Sequence, residues 1–263
     1  FVHAWHYVSG NYDTRGIRQL KEQCAGDAER FFYLAVPSGY ALVAAIVRGL
    51  AKHSLIDARS AIVLEKPFGT DYQSARAINR FLLRYFSEER MFRIDHYLAK
   101  DLVQDVLALR FANPIFDPIW NSTYIDRISI EIKEDEGIRS RGRYYDQAGA
   151  IRDMIQNHAL QLLAFTVMKQ PESLSAAAIH KEKIAVLRKI KLWPGEQSIA
   201  IGQYAGYRDE PYVSPMSLTE TYASLTVFVD TPRFRSVPIT IVSGKKMQEK
   251  TTDITIYFKK SPH

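Results

Sequence analysis

The chain has 263 residues, 46% of them hydrophobic and 24% charged, with a net charge of +6 and a single cysteine, Cys24. That length supports one large domain or two ordinary ones. No apolar run approaches the roughly 20 residues of a membrane-crossing helix, and one cysteine excludes an intrachain disulfide and fits a reducing cytoplasm. The excess positive charge suits an anionic ligand such as a phosphate, suits nucleic acid equally well, or belongs to an evenly solvated surface. The basic residues are too scattered for the stripe with interleaved aromatics that marks a nucleic-acid binder. The start, Phe1-Val2-His3-Ala4-Trp5, has neither an initiator Met nor the basic and apolar regions of a signal peptide, so the true N-terminus is expected to lie upstream.

In chain order, residues 30–37 read as a buried strand ended by Pro37, and residues 39–53 as a helix rich in Ala, Leu and Val. Residues 60–67 read as a second buried strand, closed by Pro67 and Gly69. Asp71 is placed to cap a helix over 72–87, where Ala75, Ile78, Phe81, Leu82 and Tyr85 recur at helical spacing. Alternating strand and helix predict right-handed βαβ units and a parallel sheet. Near residue 95 the pattern changes. Over 125–134 Ile128, Ile130 and Ile132 alternate with Arg127, Ser129, Glu131 and Lys133, a strand with one wet face as in antiparallel sheets. A long helix over 146–168, a Ser/Ala-rich turn over 173–178 and a basic helix near 179–190 follow, then strands over 198–204, 222–229, 237–242 and 253–258. The expected class is α/β: part of a Rossmann-type parallel-sheet cofactor domain over 1–95, then an α+β domain with a mostly antiparallel sheet over 96–263.

Three constellations carry candidate chemistry. Glu65-Lys66-Pro67-Phe68-Gly69 stands at the carboxyl end of a predicted parallel strand, where open α/β sheets bind ligands. A lysine there can reach a sugar hydroxyl or a cofactor amide; otherwise it is a solvated turn residue. Arg93–Lys100 packs Asp95, His96, Tyr97 and Lys100 at the domain boundary. These side chains can hold a phosphate, helped by helix amides if a helix begins near Leu98, or they form a polar linker. Within the long helix His158 has Met154 and Ile155 one turn before and Leu162 one turn after. That position suits a core histidine, or a general base if a carboxylate such as Asp95 orients it. P-loop, HExxH and CxxC patterns are absent, so no metal site is expected, and there is no G-x-G-x-x-G loop.

Together these segments resemble the glucose-6-phosphate dehydrogenase family over nearly the whole chain. RIDHYLAK at Arg93–Lys100 is similar to the family's RIDHYLGK, RFANPIFDPIW at Arg110–Trp120 to its RFAN-x-IF-x-P-x-W segment, and RDMIQNH at Arg152–His158 to its RD-[VM]-[VMI]-QNH helix. Tyr33–Pro37, Glu65–Gly69, Gly202-Gln203-Tyr204, Gly206–Pro211 and Gly244-Lys245 also fit, while Ala99 and Arg143 stand where the family usually has Gly. The resemblance implies oxidation of glucose 6-phosphate to the 6-phosphogluconolactone with NADP or NAD, in a cytoplasmic homodimer or homotetramer. It implies that His158 is the general base and Asp95 its orienting partner. His96, Tyr97 and Lys100 are implied to hold the phosphate, and Lys66 to bridge sugar and nicotinamide. Glu134, Asp153, Lys245 and Lys250 are implied to line the sugar site, with Val36 and Pro37 packing on the cofactor. It also implies a cofactor glycine loop upstream of Phe1 and further sheet downstream. Val242, Thr251 and Thr255 match poorly the residues tied to a second, structural NADP, so that site is not expected.

Three other readings compete: a sugar dehydrogenase of the glucose–fructose oxidoreductase type, a catalytically silent scaffold homologue, and a basic nucleic-acid-binding module. The RFAN and QNH segments oppose the first. Intact Asp95, Lys100 and His158 oppose the second, for which the missing glycine loop speaks. Only the net charge supports the third.

Overall fold

The computed structural model describes residues 6–10, 14–24, 28–36 and 39–260. The chain divides into two compact units, Phe1–Asp95 and His96–His263.

The first unit runs α1 (Thr14–Gln23), β1 (Phe31–Leu34), α2 (Tyr40–Lys52), β2 (Ala61–Leu64), α3 (Tyr72–Leu82) and β3 (Met91–Arg93). The strands form a parallel sheet in the order β1-β2-β3, with Leu34 opposite Leu64 and Leu64 opposite Arg93. Asp71 caps α3 as expected: its carboxylate accepts from the Ser74 N–H at 2.7 Å, and the Ser74 hydroxyl accepts from the Asp71 N–H at 3.0 Å. The two bonds satisfy N–H groups that the first helical turn leaves without partners. Val43, Val47 and Leu50 of α2 and Ile78, Phe81 and Leu82 of α3 bury one face of the sheet. On the other face Phe31 and Tyr33 of β1 and Phe92 of β3 stay 58%, 54% and 45% exposed.

Helix α3 ends at Leu82 rather than running to residue 87. Tyr85 and Phe86 still pack on the core from the following turn, so apolar spacing outlasts the helix. Strand β3 and helix α1 are additions to the sequence reading. β3 has only three residues, with Phe92 and Arg93 exposed, and α1 is largely polar, with Ile17 its buried anchor.

The second unit contains α4 (Asp101–Phe111), β4 (Ile125–Lys133), α5 (Gly142–Ala150), a π-helical stretch (Ile151–Ala159), α6 (Leu160–Val167), α7 (Ala176–Leu187), β5 (Ile190–Leu192), β6 (Ile199–Gly202), β7 (Tyr222–Val229), β8 (Ile239–Gly244) and β9 (Thr251–Phe258). Sheet order is β5-β7-β8-β4-β9, with β6 also on β7. β4 and β8 are parallel; the other pairs are antiparallel. Ile128, Ile130 and Ile132 point into the core as their alternation predicts. The π stretch packs on β4 and β8. Helix α4 starts at Asp101, after a 3₁₀ turn over His96–Ala99, not at Leu98. Helix α7 starts at Ala176, earlier than expected, because the Ser175 hydroxyl caps it by accepting from the Ala178 N–H at 3.3 Å. Among the described residues no helix is long and apolar enough to cross a membrane.

The expected continuous helix over 146–168 is broken. Gly149 has φ 69° and ψ 176°, a conformation open essentially to glycine alone. The chain then restarts with two N–H groups held by Glu220: Ala150 N–H donates to its carbonyl at 2.9 Å and Ile151 N–H to its carboxylate at 3.0 Å. At the far end Arg110 donates to the Phe165 and Met168 carbonyls at 2.8 and 2.7 Å, and the Trp120 indole to the Thr166 carbonyl at 2.7 Å. Terminal carbonyls that an α-helix leaves unsatisfied are therefore met by buried donors. Arg233 ties the same segment by donating to the Trp120 carbonyl at 2.6 Å and to Asp117 at 2.7 Å. The RFANPIFDPIW segment thus anchors the C-terminal end of the helix that begins at the π stretch.

Candidate active site

The site of the second unit is assembled from the 3₁₀ turn before α4, the π stretch, and the ends of β4, β8 and β9. His158 is fully buried. The Tyr97 ring stacks on it at 4.1 Å and 17°, and the His96 ring meets it edge-on at 4.7 Å. The ammonium of Lys100 sits over the other aromatic neighbour, 3.6 Å from the centre of the Tyr97 ring. Turn and helix therefore build a continuous row of imidazole, phenol and cation.

The π stretch brings in a carboxylate. In an α-helix of 3.6 residues per turn, five residues carry the chain about 1.4 turns, leaving the two side chains on different faces. With i→i+5 bonding, residue i+5 returns close to the direction of residue i. Asp153 and His158 are five apart, both inside the stretch, and both buried, at 2% and 0% exposure. The Tyr144 hydroxyl donates to Asp153 at 3.0 Å. Burial first, and then the Asp153 charge, push the Tyr144 pKa up, so the phenol stays a donor at neutral pH.

Strands supply the remaining groups. The parallel ladder of β4 and β8 ends at Lys133 opposite Gly244, which puts Glu134 and Lys245 side by side just beyond it. Lys245 is 3% exposed and donates to the Glu134 carboxylate. A buried cation of this kind is stable only when paired. On β9 the Thr252 hydroxyl accepts from Lys100 at 3.1 Å. Burial, then the charge of exposed Lys250, pull the Lys100 pKa down, with Glu134 opposing. Thr252 belongs to the cluster, yet a lone threonine in a strand gives no sequence signal.

The cluster can do three things chemically. The Lys100/Lys250 end attracts an anion. The Glu134–Lys245 pair and Asp153 can hydrogen-bond a polyol. His158, shielded from water, can accept a proton.

Val36, Lys66 and Asp95 belong to the first unit, and Pro37 lies outside the described residues. Lys66 lies two residues beyond the end of β2, before a cis peptide to Pro67. A small apolar pocket lined by Leu34, Val36, Leu64, Glu65 and Phe68 opens at the carboxyl ends of β1 and β2, the end at which open parallel sheets bind cofactors. Its apolar lining is of the kind that packs beside a dinucleotide, although the pocket itself is too small to enclose one.

Comparison with known proteins agrees with this arrangement. The family described as "Glucose-6-phosphate dehydrogenase, C-terminal domain" matches residues 107–263, and "Glucose-6-phosphate dehydrogenase, NAD binding domain" matches residues 1–105. The Glucose-6-phosphate 1-dehydrogenase of Chlamydia muridarum is 42% identical over 100% of this chain and 55% of its own length. The crystal structure of Glucose-6-phosphate 1-dehydrogenase from Mycobacterium avium superposes with a TM-score of 0.91 at 38% identity, over 98% of this chain and 56% of that one. A glucose-6-phosphate dehydrogenase solved in complex with its substrate glucose-6-phosphate gives 0.86 at 32%, over 97% and 56%. The chain thus spans little more than half the length of these relatives, and with both domain families matched across it, it belongs to the glucose-6-phosphate dehydrogenase family.

Proposed function

We propose that this chain forms the substrate-binding and proton-abstracting part of a glucose-6-phosphate dehydrogenase that converts glucose 6-phosphate and NADP to the 6-phosphogluconolactone and NADPH. The observation that carries the reading is a fully buried imidazole beside a two-lysine cationic end, with a buried lysine paired to the half-buried Glu134 in the same unit.

In the proposed reaction the phosphate binds His96, Tyr97 and Lys100, with Lys250 adding charge. Glu134, Asp153 and Lys245 hold the sugar hydroxyls and fix C1 beside His158. His158 takes the C1 hydroxyl proton as the C1 hydrogen leaves with its electron pair, so the carbonyl forms without an unstable oxocarbenium or alkoxide. A nicotinamide dinucleotide supplies the hydride acceptor. Val36 and Lys66 are assigned to its side of the reaction, and Lys66 also to the sugar, because they follow the carboxyl ends of the parallel strands β1 and β2; Pro37 is assigned with Val36 by the family resemblance. Asp95 is assigned to orienting His158. It directly precedes His96, whose ring meets that of His158, and a carboxylate partner is what stabilises the imidazolium that forms. We place the enzyme in the cytoplasm as a homo-oligomer.

The test is nicotinamide reduction with glucose 6-phosphate as substrate, in the parent and in His158→Asn. Turnover is expected to fall by about 10²–10⁴-fold, the usual worth of a general base, while glucose 6-phosphate still binds. A folded His158→Asn protein with near-normal turnover would return His158 to the role of a core histidine.

A further inference from the structure

Thr252 stands where the packing pattern of β9 has no need for a hydroxyl. Ile256, Ile254 and Thr252 lie opposite Ile128, Ile130 and Ile132 of β4. Directly paired residues of an antiparallel ladder share a face, so all three point to the side that β4 buries. Ile254 and Ile256 pack against the core there. A third branched apolar residue would continue the row. Threonine has nearly the shape of valine but carries a hydroxyl, and that hydroxyl accepts from the Lys100 ammonium at 3.1 Å.

A hydroxyl has one proton to give as well as lone pairs to offer. With Lys100 donating to the oxygen, the Thr252 proton has to find its own acceptor, and among the described residues the Thr252 hydroxyl donates no bond. Around it are cations: Lys100 directly, and Lys250 two residues earlier on the same strand end. An anion placed against both lysines would accept that proton.

We propose that Thr252 is a substrate-binding residue, its hydroxyl accepting from Lys100 and donating to a phosphate oxygen of the sugar phosphate. The assignment rests on the reading of the site as a sugar-phosphate site. It extends the phosphate contacts from the turn before α4 to the sheet edge, so the anion is held from two sides. The lowered pKa of Lys100, caused by burial and by Lys250, agrees with a cationic pocket built to receive negative charge.

Two variants test it. Thr252→Val keeps shape and burial but removes both roles of the hydroxyl; Thr252→Ser keeps the hydroxyl. In Thr252→Val the KM for glucose 6-phosphate is expected to rise about tenfold, the order expected for a lost hydrogen bond to a charged group, with kcat affected far less. The inhibition constant of inorganic phosphate, competing with glucose 6-phosphate, is expected to rise in parallel. Thr252→Ser is expected to recover most of both. A Thr252→Val enzyme with unchanged KM and phosphate inhibition, or one whose loss falls on kcat alone, overturns the role of Thr252 and leaves the site assignment standing. A parent protein that neither binds nor oxidises glucose 6-phosphate overturns both.

Discussion

Lys100 shows how single groups set the working range of the site. Its pKa lies below the ordinary lysine value of 10.5, because burial penalises the ammonium and Lys250 repels it, with Glu134 opposing in part. Below the lowered pKa the ammonium is intact and binds a phosphate dianion; as pH rises through it, the charge and one hydrogen-bond donor disappear. Bound phosphate draws the pKa back up, so KM for glucose 6-phosphate is expected to climb with pH across the window between free and bound values. Lys100→Arg keeps its charge at any accessible pH and is expected to shift that alkaline limb upward. A limb that stays in place in Lys100→Arg would belong to another group. The turn carrying Lys100 was legible because acid, imidazole, phenol and cation crowd eight residues. Thr252 was not, since its partner is 152 residues away in sequence.

Among the elements, the helix that restarts after the break at Gly149 decides where His158 sits. An added Cβ at Gly149 would meet the Glu220 carboxylate at 2.4 Å, and φ 69° already disfavours a side chain. Gly149→Ala is expected to destabilise the protein by about 2–4 kcal/mol, combining backbone strain with loss of the Glu220 contacts to the restarted chain. Turnover is expected to fall as well, because the segment carrying Asp153 and His158 shifts. Denaturant unfolding checks the first and steady-state kinetics the second; an unchanged midpoint would mean the chain bends elsewhere. None of this was visible in Gln147-Ala148-Gly149-Ala150, where a glycine among alanines reads as a tolerated helical residue. Nor does a nine-residue π stretch announce itself, since its apolar spacing overlaps that of an α-helix. The Ile128–Ile132 alternation was read correctly because one buried face fixes it. The strand expected over 237–242 appears as β8, but its parallel pairing with β4 was hidden, because alternation carries no information about a neighbour more than a hundred residues away. Strands β3 and β5 were too short to show any period.

At the scale of the whole molecule, each compact unit has its own main core among the described residues, and the second unit adds a small cluster around Tyr145 and Tyr207, so of the one or two domains that length allowed the chain forms two units. In the second unit Ile128, Ile130, Ile132 and the π stretch bind sheet to helix, and the polar cluster stands at the margin of that core. In the first unit α2 and α3 cover one sheet face, while Phe31, Tyr33 and Phe92 on the other are exposed. Ligand contacts assigned to the second unit draw on its 3₁₀ turn, π stretch and strand ends, segments distant in sequence. A ligand that bridges them stabilises only the folded arrangement, by about 2.7 kcal/mol at a hundred times its dissociation constant. For a unit of this size that is roughly 5–10 °C in unfolding temperature. Glucose 6-phosphate is therefore expected to raise the unfolding temperature by that order, inorganic phosphate at equal concentration by less, and unphosphorylated glucose hardly at all. Hydrogen exchange should slow together in 96–100, 151–159 and 244–252, because one ligand orders all three segments at once. Equal stabilisation by glucose and by its phosphate would mean that the lysine end does not hold the phosphate, and protection limited to one segment would mean that the three do not form a single site.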